Sequence, residues 1–181
     1  AKLVACCAVS GQSAAAYALC ATPLPSQPLP IIAVPTTAGT GSETTRVSVF
    51  ANAEKQKVWA WGEELKPDLA ILDPELTIGV PPHITAATGL DALVHAIEAC
   101  TNKHRTDGND LYCLQAITLI SANLERAIGS PGDIAARGAM LLGSIVIYAI
   151  GVPWLYHALP PTIDGTPVTL DTALSFGLYP F

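Results

Sequence analysis

Hydrophobic positions in the first seventy residues come in short runs bounded by proline, glycine and polar residues, whereas from about Pro81 they recur at helical spacing. Lys2 to Leu19 reads as a helix, followed by a proline-rich connection from Pro23 to Pro30. Ile31-Ile32-Ala33-Val34 is apolar and flanked by prolines, which predicts a strand buried on both faces; Leu69-Ala70-Ile71-Leu72, ended by Asp73-Pro74, predicts another. Val47 to Phe50 and Lys57 to Trp61 alternate like strands around a polar Asn52-Ala53-Glu54 turn. Cys113, Ile117, Ile120, Leu124 and Ile128 mark a helix along Asn109 to Ile128, and Asp133 opens another that runs through Met140 and Leu142. The predicted class is α/β followed by all-α to about Ile150. Pro160 to Pro167 reads as a turn-rich loop, and Val168 to Tyr179 fits helix or strand.

Two stretches carry candidate chemistry. In Gly89 to Cys100, Asp91 and His95 stand four apart among good helix formers, so a helix places a carboxylate and an imidazole one turn apart on one face, as a two-point metal clamp requires. Leu90, Leu93, Val94 and Ile97 occupy the other faces, which predicts burial nearly all round, and a buried carboxylate needs a partner or a metal. Asp91 as a turn cap and His95 as a hydrogen-bonded core histidine is the alternative that spacing alone leaves open. The second stretch, Pro35 to Thr45, is rich in hydroxyls and glycine and follows a predicted strand, so its backbone N–H groups can approach a phosphate or ribose. It lacks the Gly-Lys-Ser/Thr of a P-loop, and Thr44 stands where the third glycine of a dinucleotide fingerprint belongs, so a plain structural turn also stays open.

Composition narrows the partners. The 181 residues are 50% apolar, enough for a core, and a net charge of −6 with 9 Lys plus Arg gives no basic stripe for nucleic acid. The 5 cysteines show no Cys-x-x-Cys pairing, which points to reduced thiols in a cytoplasmic protein. Lys2 to Ala21 only faintly resembles a signal peptide, because Ser10-Gly11-Gln12-Ser13 interrupts it. Ala139 to Tyr156 is uncharged but fragmented by Gly143, Ser144, Gly151 and Pro153, so a buried core helix is expected rather than a membrane span.

In order along the chain stand a predicted strand, then Pro-Thr-Thr-Ala-Gly-Thr-Gly-Ser-Glu, then Leu-Asp-Pro-Glu-Leu-Thr, then Ala-Ala-Thr-Gly-Leu-Asp-Ala-Leu-Val-His-Ala-Ile-Glu-Ala. From about Pro30 to Ile150 this series strongly resembles the iron-containing alcohol dehydrogenase family. The resemblance implies a partial Rossmann-like dinucleotide-binding domain over residues 1–80 and a helical metal-binding domain over 81–181. It implies that Asp91 and His95 bind a divalent metal, iron first and zinc second. It also implies that Thr36, Thr37, Thr40 and Thr45 line the phosphates and nicotinamide-ribose of NAD or NADP, and that Lys57 contacts that cofactor. The implied reaction is hydride transfer between a primary or secondary alcohol, or its aldehyde or ketone, and the nicotinamide. The implied partners are that small-molecule substrate and a second copy in a homodimer.

The sequence departs from the family at two places. The family's Gly-Gly-Gly-Ser pyrophosphate turn lies upstream of an Ala-Lys pair resembling Ala1-Lys2, so the chain is expected to be a fragment or a shortened relative. Leu155-Tyr156-His157-Ala158-Leu159 resembles the start of the family's histidine segment, which makes His157 a third metal ligand or a catalytic group near the nicotinamide. Pro161 stands in place of the next histidine, and Asp164 or Asp171 falls near the last ligand position. A catalytically inactive remnant that binds metal or cofactor weakly, or serves as an interaction module, is the alternative reading.

Overall fold

The computed structural model describes residues 2–101, 103 and 105–147 in full, and 148–158, 162–163 and 166–167 as backbone elements. The chain forms two compact units, Ala1–Pro35 with Ser42–Asp73, and Thr36–Gly41 with Pro74–Phe181.

In the first unit, helix α1 (Lys2–Ser10) is shorter than the sequence predicts. It ends at Gly11, which adopts φ +68° and donates its N–H to the Cys7 carbonyl at 2.9 Å. The chain resumes as a 3-10 segment, Ala14–Cys20, with non-helical angles at Ala18 and Leu19. Burial of Tyr17 drives the break: its ring packs among Leu3, Cys6, Ala60 and Leu65, and its hydroxyl lies 2.7 Å from Ser10 Oγ. A continuous helix would carry that ring past the core.

The predicted hairpin is present. Strands β2 (Val47–Ala51) and β3 (Lys57–Trp61), separated by β1 (Ile32–Ala33) from α1, pair antiparallel from Val47↔Trp61 to Ala51↔Lys57. Asn52 closes the turn through Oδ1, which accepts the Gln56 N–H at 2.8 Å. At the open end Arg46 pairs with Glu63 and lies over the Trp61 ring.

The two apolar runs expected to be strands buried on both faces are corrected. Only Ile32–Ala33 and Leu69–Ala70 (β4) pair, in parallel, and Ile32 is 62% exposed and Leu69 51% exposed. The cause is where the helical segments go: α1 packs on the Glu63–Leu65 turn and the Ala14–Cys20 segment packs on β3, so no helix layers onto the β1–β4 pair within this unit.

The second unit is built from α2 (Pro82–Thr101), α3 (Asp107–Gly129) and α4 (Ile134–Ala158), which pack on one another. Thr106 caps α3 by accepting the Asn109 N–H, and Asp133 caps α4 by accepting the Ala136 N–H at 3.0 Å while pairing with Arg126. Small residues bring the helices close: Ala92, Ala96, Ala116, Ala127 and Ala136 are fully buried with Ile120, Met140 and Ile147. A Cβ at Gly143 would stand 2.8 Å from Ile120 Cγ1.

Burial of α2 all round is also corrected. Its glycine and alanine face, Gly89, Ala92 and Ala96, is the buried one, and Leu90 and Ile97 are exposed. Close helix approach selects the small residues for the interior, with Leu93 packed at its margin, and leaves Leu90 and Ile97 outside. The charge-free stretch expected to be a core helix lies in α4, whose Met140, Leu141 and Ile147 are buried. Among the described residues no single helix is long and apolar enough to cross a membrane. Two short antiparallel strands, β5 (Thr162–Ile163) and β6 (Thr166–Pro167), follow α4. Val168 to Tyr179 lies outside the described residues.

Candidate metal and dinucleotide site

Helix α2 runs unbroken from Pro82 to Thr101 and so holds Asp91 and His95 one turn apart. The His95 side chain is 14% exposed and that of Asp91 40% exposed, so Asp91 is less desolvated than the sequence pattern predicts. His95 Nδ1 lies 2.8 Å from the Asp91 carbonyl oxygen and 3.7 Å from Asp91 Oδ1. A carbonyl accepts only, so this contact assigns the proton to Nδ1 and the lone pair of the neutral ring to Nε2. A backbone carbonyl that fixes the tautomer in this way is what a metal-binding imidazole uses to present its other nitrogen. One carboxylate oxygen and one neutral imidazole nitrogen suit iron or zinc equally.

The pair fits a divalent metal as two donors of a larger set. Among the described residues no cluster of three His, Cys, Asp or Glu side chains is placed to hold an ion. His157 falls within α4, but its side chain, like Asp164 and Asp171, lies outside the described residues. His83 is exposed in the first turn of α2, and Glu98 is half-buried toward its end.

The Thr36–Gly41 loop belongs to the same compact unit as α2. Both of its glycines have a structural cause. Gly39 lies so close to α2 that a Cβ would come within 2.6 Å of Thr88, and Gly41 adopts φ +54°. Ala38 packs against the helical core, so the loop is anchored on the helix bundle while Thr36 and Thr40 stay exposed. Thr37 turns inward and lines a small cavity with Ala38, Thr77, Val80, Thr85, Thr88, Arg137 and Met140.

The other two predicted cofactor residues lie in the first unit. Thr45 is engaged by Lys2, whose Nζ donates to Thr45 O at 2.6 Å, Thr45 Oγ1 at 3.0 Å and Ser42 O at 2.7 Å. Lys57 is exposed at the end of β3, opposite Ala51. Thus Asp91, His95, Thr36, Thr37 and Thr40 share one unit, and Thr45 and Lys57 share the other.

Sequence reasoning missed Thr85, Thr88 and Arg137. Arg137 is 3% exposed, and its Nη1 donates to Thr85 Oγ1 at 2.9 Å, tying α4 to α2. A signal existed: Arg137 is a single charge in an otherwise apolar helical stretch, where a buried cation needs hydrogen-bond acceptors.

The model of the iron-containing alcohol dehydrogenase family matches residues 1–74, and that of the Fe-containing alcohol dehydrogenase family, C-terminal, matches residues 85–163. The probable alcohol dehydrogenase EutG of Escherichia coli (strain K12) is 52% identical over 118 residues, 64% of this chain and 30% of that protein. Long-chain-alcohol dehydrogenase 1 of Geobacillus thermodenitrificans (strain NG80-2) is 42% identical over 171 residues, 91% of this chain and 43% of that protein. Among solved structures, sulfoacetaldehyde reductase from Bifidobacterium kashiwanohense in complex with NAD+ superposes with a TM-score of 0.77 at 39% identity, covering 82% of this chain and 40% of that one. The chain therefore spans less than half the length of each of these relatives. Two successive family models, matched in order over an α/β unit and a helical unit, show that the chain belongs to the iron-containing alcohol dehydrogenase family.

Proposed function

We propose that the chain is part of an NAD- or NADP-dependent alcohol dehydrogenase and carries two donors of its divalent-metal site together with threonines of its cofactor loop. The observation that carries this reading is the Asp91–His95 pair, with Nδ1 of His95 fixed by the Asp91 carbonyl. When bound, the metal, iron in the first instance and zinc in the second, supplies a Lewis acid for an alcohol or carbonyl oxygen, and the nicotinamide supplies the hydride acceptor or donor. Asp91 offers the negative charge and His95 the neutral nitrogen. Thr36 and Thr40 present hydroxyls from a loop held on the metal helix through Gly39. His157 is assigned as a further ligand or as the group beside the nicotinamide, and Thr37, Thr45 and Lys57 complete the cofactor contacts. The relatives named for alcohols and for an aldehyde, one of them solved with NAD+, support a small alcohol or its carbonyl product as substrate. A homodimer in the cytoplasm accompanies this reading.

The test is metal content. The 181-residue chain, purified without chelator, is expected to retain iron or zinc, and Asp91→Ala and His95→Ala are each expected to lose it while the helical circular dichroism is kept. A folded wild-type chain that binds neither metal when either is supplied would remove the metal role and favour the inactive remnant.

A further inference from the structure

The α2–α3 contact carries a pair of thiols that the metal and cofactor chemistry does not use. The two helices pack on one another across the short connection between Thr101 and Asp107. Ala92, Ala96 and Cys100 follow one another at steps of one turn on α2, and Ile120, Ala116 and Cys113 do the same in the opposite order on α3. Ala92, Ala96, Ala116 and Ile120 are fully buried in one cluster, and the same faces continue to Cys100 and Cys113. Cys113 is 1% exposed, Cys100 is half-buried, and a hydrogen bond joins their side chains.

Such a contact lies within disulfide reach. Helix axes about 8–10 Å apart, with Cα atoms about 2.3 Å from each axis, leave facing Cα atoms close to the roughly 4.4–6.8 Å that a disulfide spans. Alanines at the neighbouring turn, Ala96 and Ala116, hold the backbones at the near end of that separation. Cys6 and Cys7 are also neighbours, but consecutive positions of a helix point apart.

The two thiols differ in access. An oxidant reaches the half-buried Cys100, whereas Cys113 is shut in, and burial holds its pKa up at about 12. At rest the inner thiol is therefore inert toward reagents in solution. Once Cys100 carries an oxidised sulfur, the fixed position of Cys113 replaces a bimolecular encounter with an intramolecular one, which offsets the low fraction of thiolate.

We propose that Cys100 and Cys113 are a redox pair, in which a hydroperoxide oxidises Cys100 and Cys113 then closes a reversible disulfide between α2 and α3. In the first step the Cys100 sulfur attacks a peroxide oxygen, the O–O bond breaks, and a sulfenic acid and one water form when the peroxide is hydrogen peroxide. In the second the Cys113 sulfur attacks the Cys100 sulfur, the S–O bond breaks, and the hydroxyl leaves as water with the Cys113 proton. Two thiols thus lose two electrons and two protons, and one peroxide is reduced to two waters. The bond pins the last turn of α2 to α3 little more than a turn beyond His95.

The test treats the folded 181-residue chain, carrying Cys20→Ser to prevent cross-linking between copies, with a small excess of hydrogen peroxide at neutral pH and maps its disulfides by peptide mass spectrometry. One cross-link, Cys100 to Cys113, is expected to dominate and to be lost on treatment with dithiothreitol; the same treatment in urea is expected to scatter cross-links among all four cysteines. In Cys113→Ala, dimedone is expected to trap severalfold more sulfenic acid at Cys100, because the thiol that consumes it is gone. If Cys113→Ala does not fold, the cross-link map of the folded chain decides. An unoxidised Cys100, a Cys100 sulfinic acid beside a free Cys113 thiol, or equal dimedone trapping with and without Cys113 would overturn the proposal.

Discussion

A methyl group on Gly39 would stand 2.6 Å from both the Cβ and the carbonyl oxygen of Thr88, so the Thr36–Gly41 loop touches α2 with no room for a side chain. Because part of that obstacle is backbone, it cannot rotate away. Gly39→Ala is expected to destabilise the helical unit by about 1–3 kcal/mol, the usual cost of overpacking. Gly132→Ala, where a Cβ meets nothing within 4 Å, is the control and is expected to be near neutral. Urea unfolding followed by far-ultraviolet circular dichroism measures both.

The Lys2 ammonium is held by Ser42 and Thr45, yet burial lowers its pKa from 10.5 to about 8, with the Glu43 carboxylate opposing that shift. Between these values the unfolded chain binds more protons than the folded one, so the contribution of Lys2 to stability rises with pH from 8 to 10.5. Below about 8 the penalty of burying the charge is fully present. Relative to Lys2→Met, the wild-type urea midpoint is therefore expected to climb across this window and to run parallel below it.

Burial also pushes the Cys113 thiol up to about 12, helped by the Cys100 thiol beside it and by Asp110. The thiolate is the reactive form, so Cys113 is expected to resist iodoacetamide at pH 8 as long as the chain is folded. Exposed Cys20 is expected to react first. Peptide mass spectrometry after timed alkylation, with and without urea, reads the order. Alkylation of Cys113 as fast as Cys20 in the native chain would contradict the packing of α3.

Lys55 closes the β2–β3 turn at φ +63°, a left-handed conformation that costs a side-chain-bearing residue about 1–2 kcal/mol. Lys55→Gly removes that cost and is expected to raise stability by roughly 0.5–1 kcal/mol after the extra freedom of the unfolded chain is counted. Lys55→Val is expected to lower it. Equilibrium unfolding followed by tryptophan fluorescence reports both, since Trp59 and Trp61 lie on β3.

Local pattern made much of the molecule legible. The alternation in Val47 to Trp61 yields the hairpin, the recurrence from Cys113 to Ile128 yields α3, and the spacing of Asp91 and His95 places them together because a helix repeats nearly every four residues. The ordered motifs from Pro35 to Ala99 likewise carry the resemblance to the family. These are properties of neighbours in sequence, governed by backbone geometry and side-chain period.

Tertiary packing decided the rest. Apolar composition predicts burial of Ile32 and Leu69 but cannot say whether a helix covers them, and in this unit the helical segments cover the hairpin instead. Tyr17 ends a helix that its own segment would have continued, because its ring fits one place in the core. The role of Gly39 depends on Thr88, and that of Arg137 on Thr85, each some fifty residues away along the chain. Such contacts depend on which surfaces meet, a property of the folded backbone that no local pattern encodes.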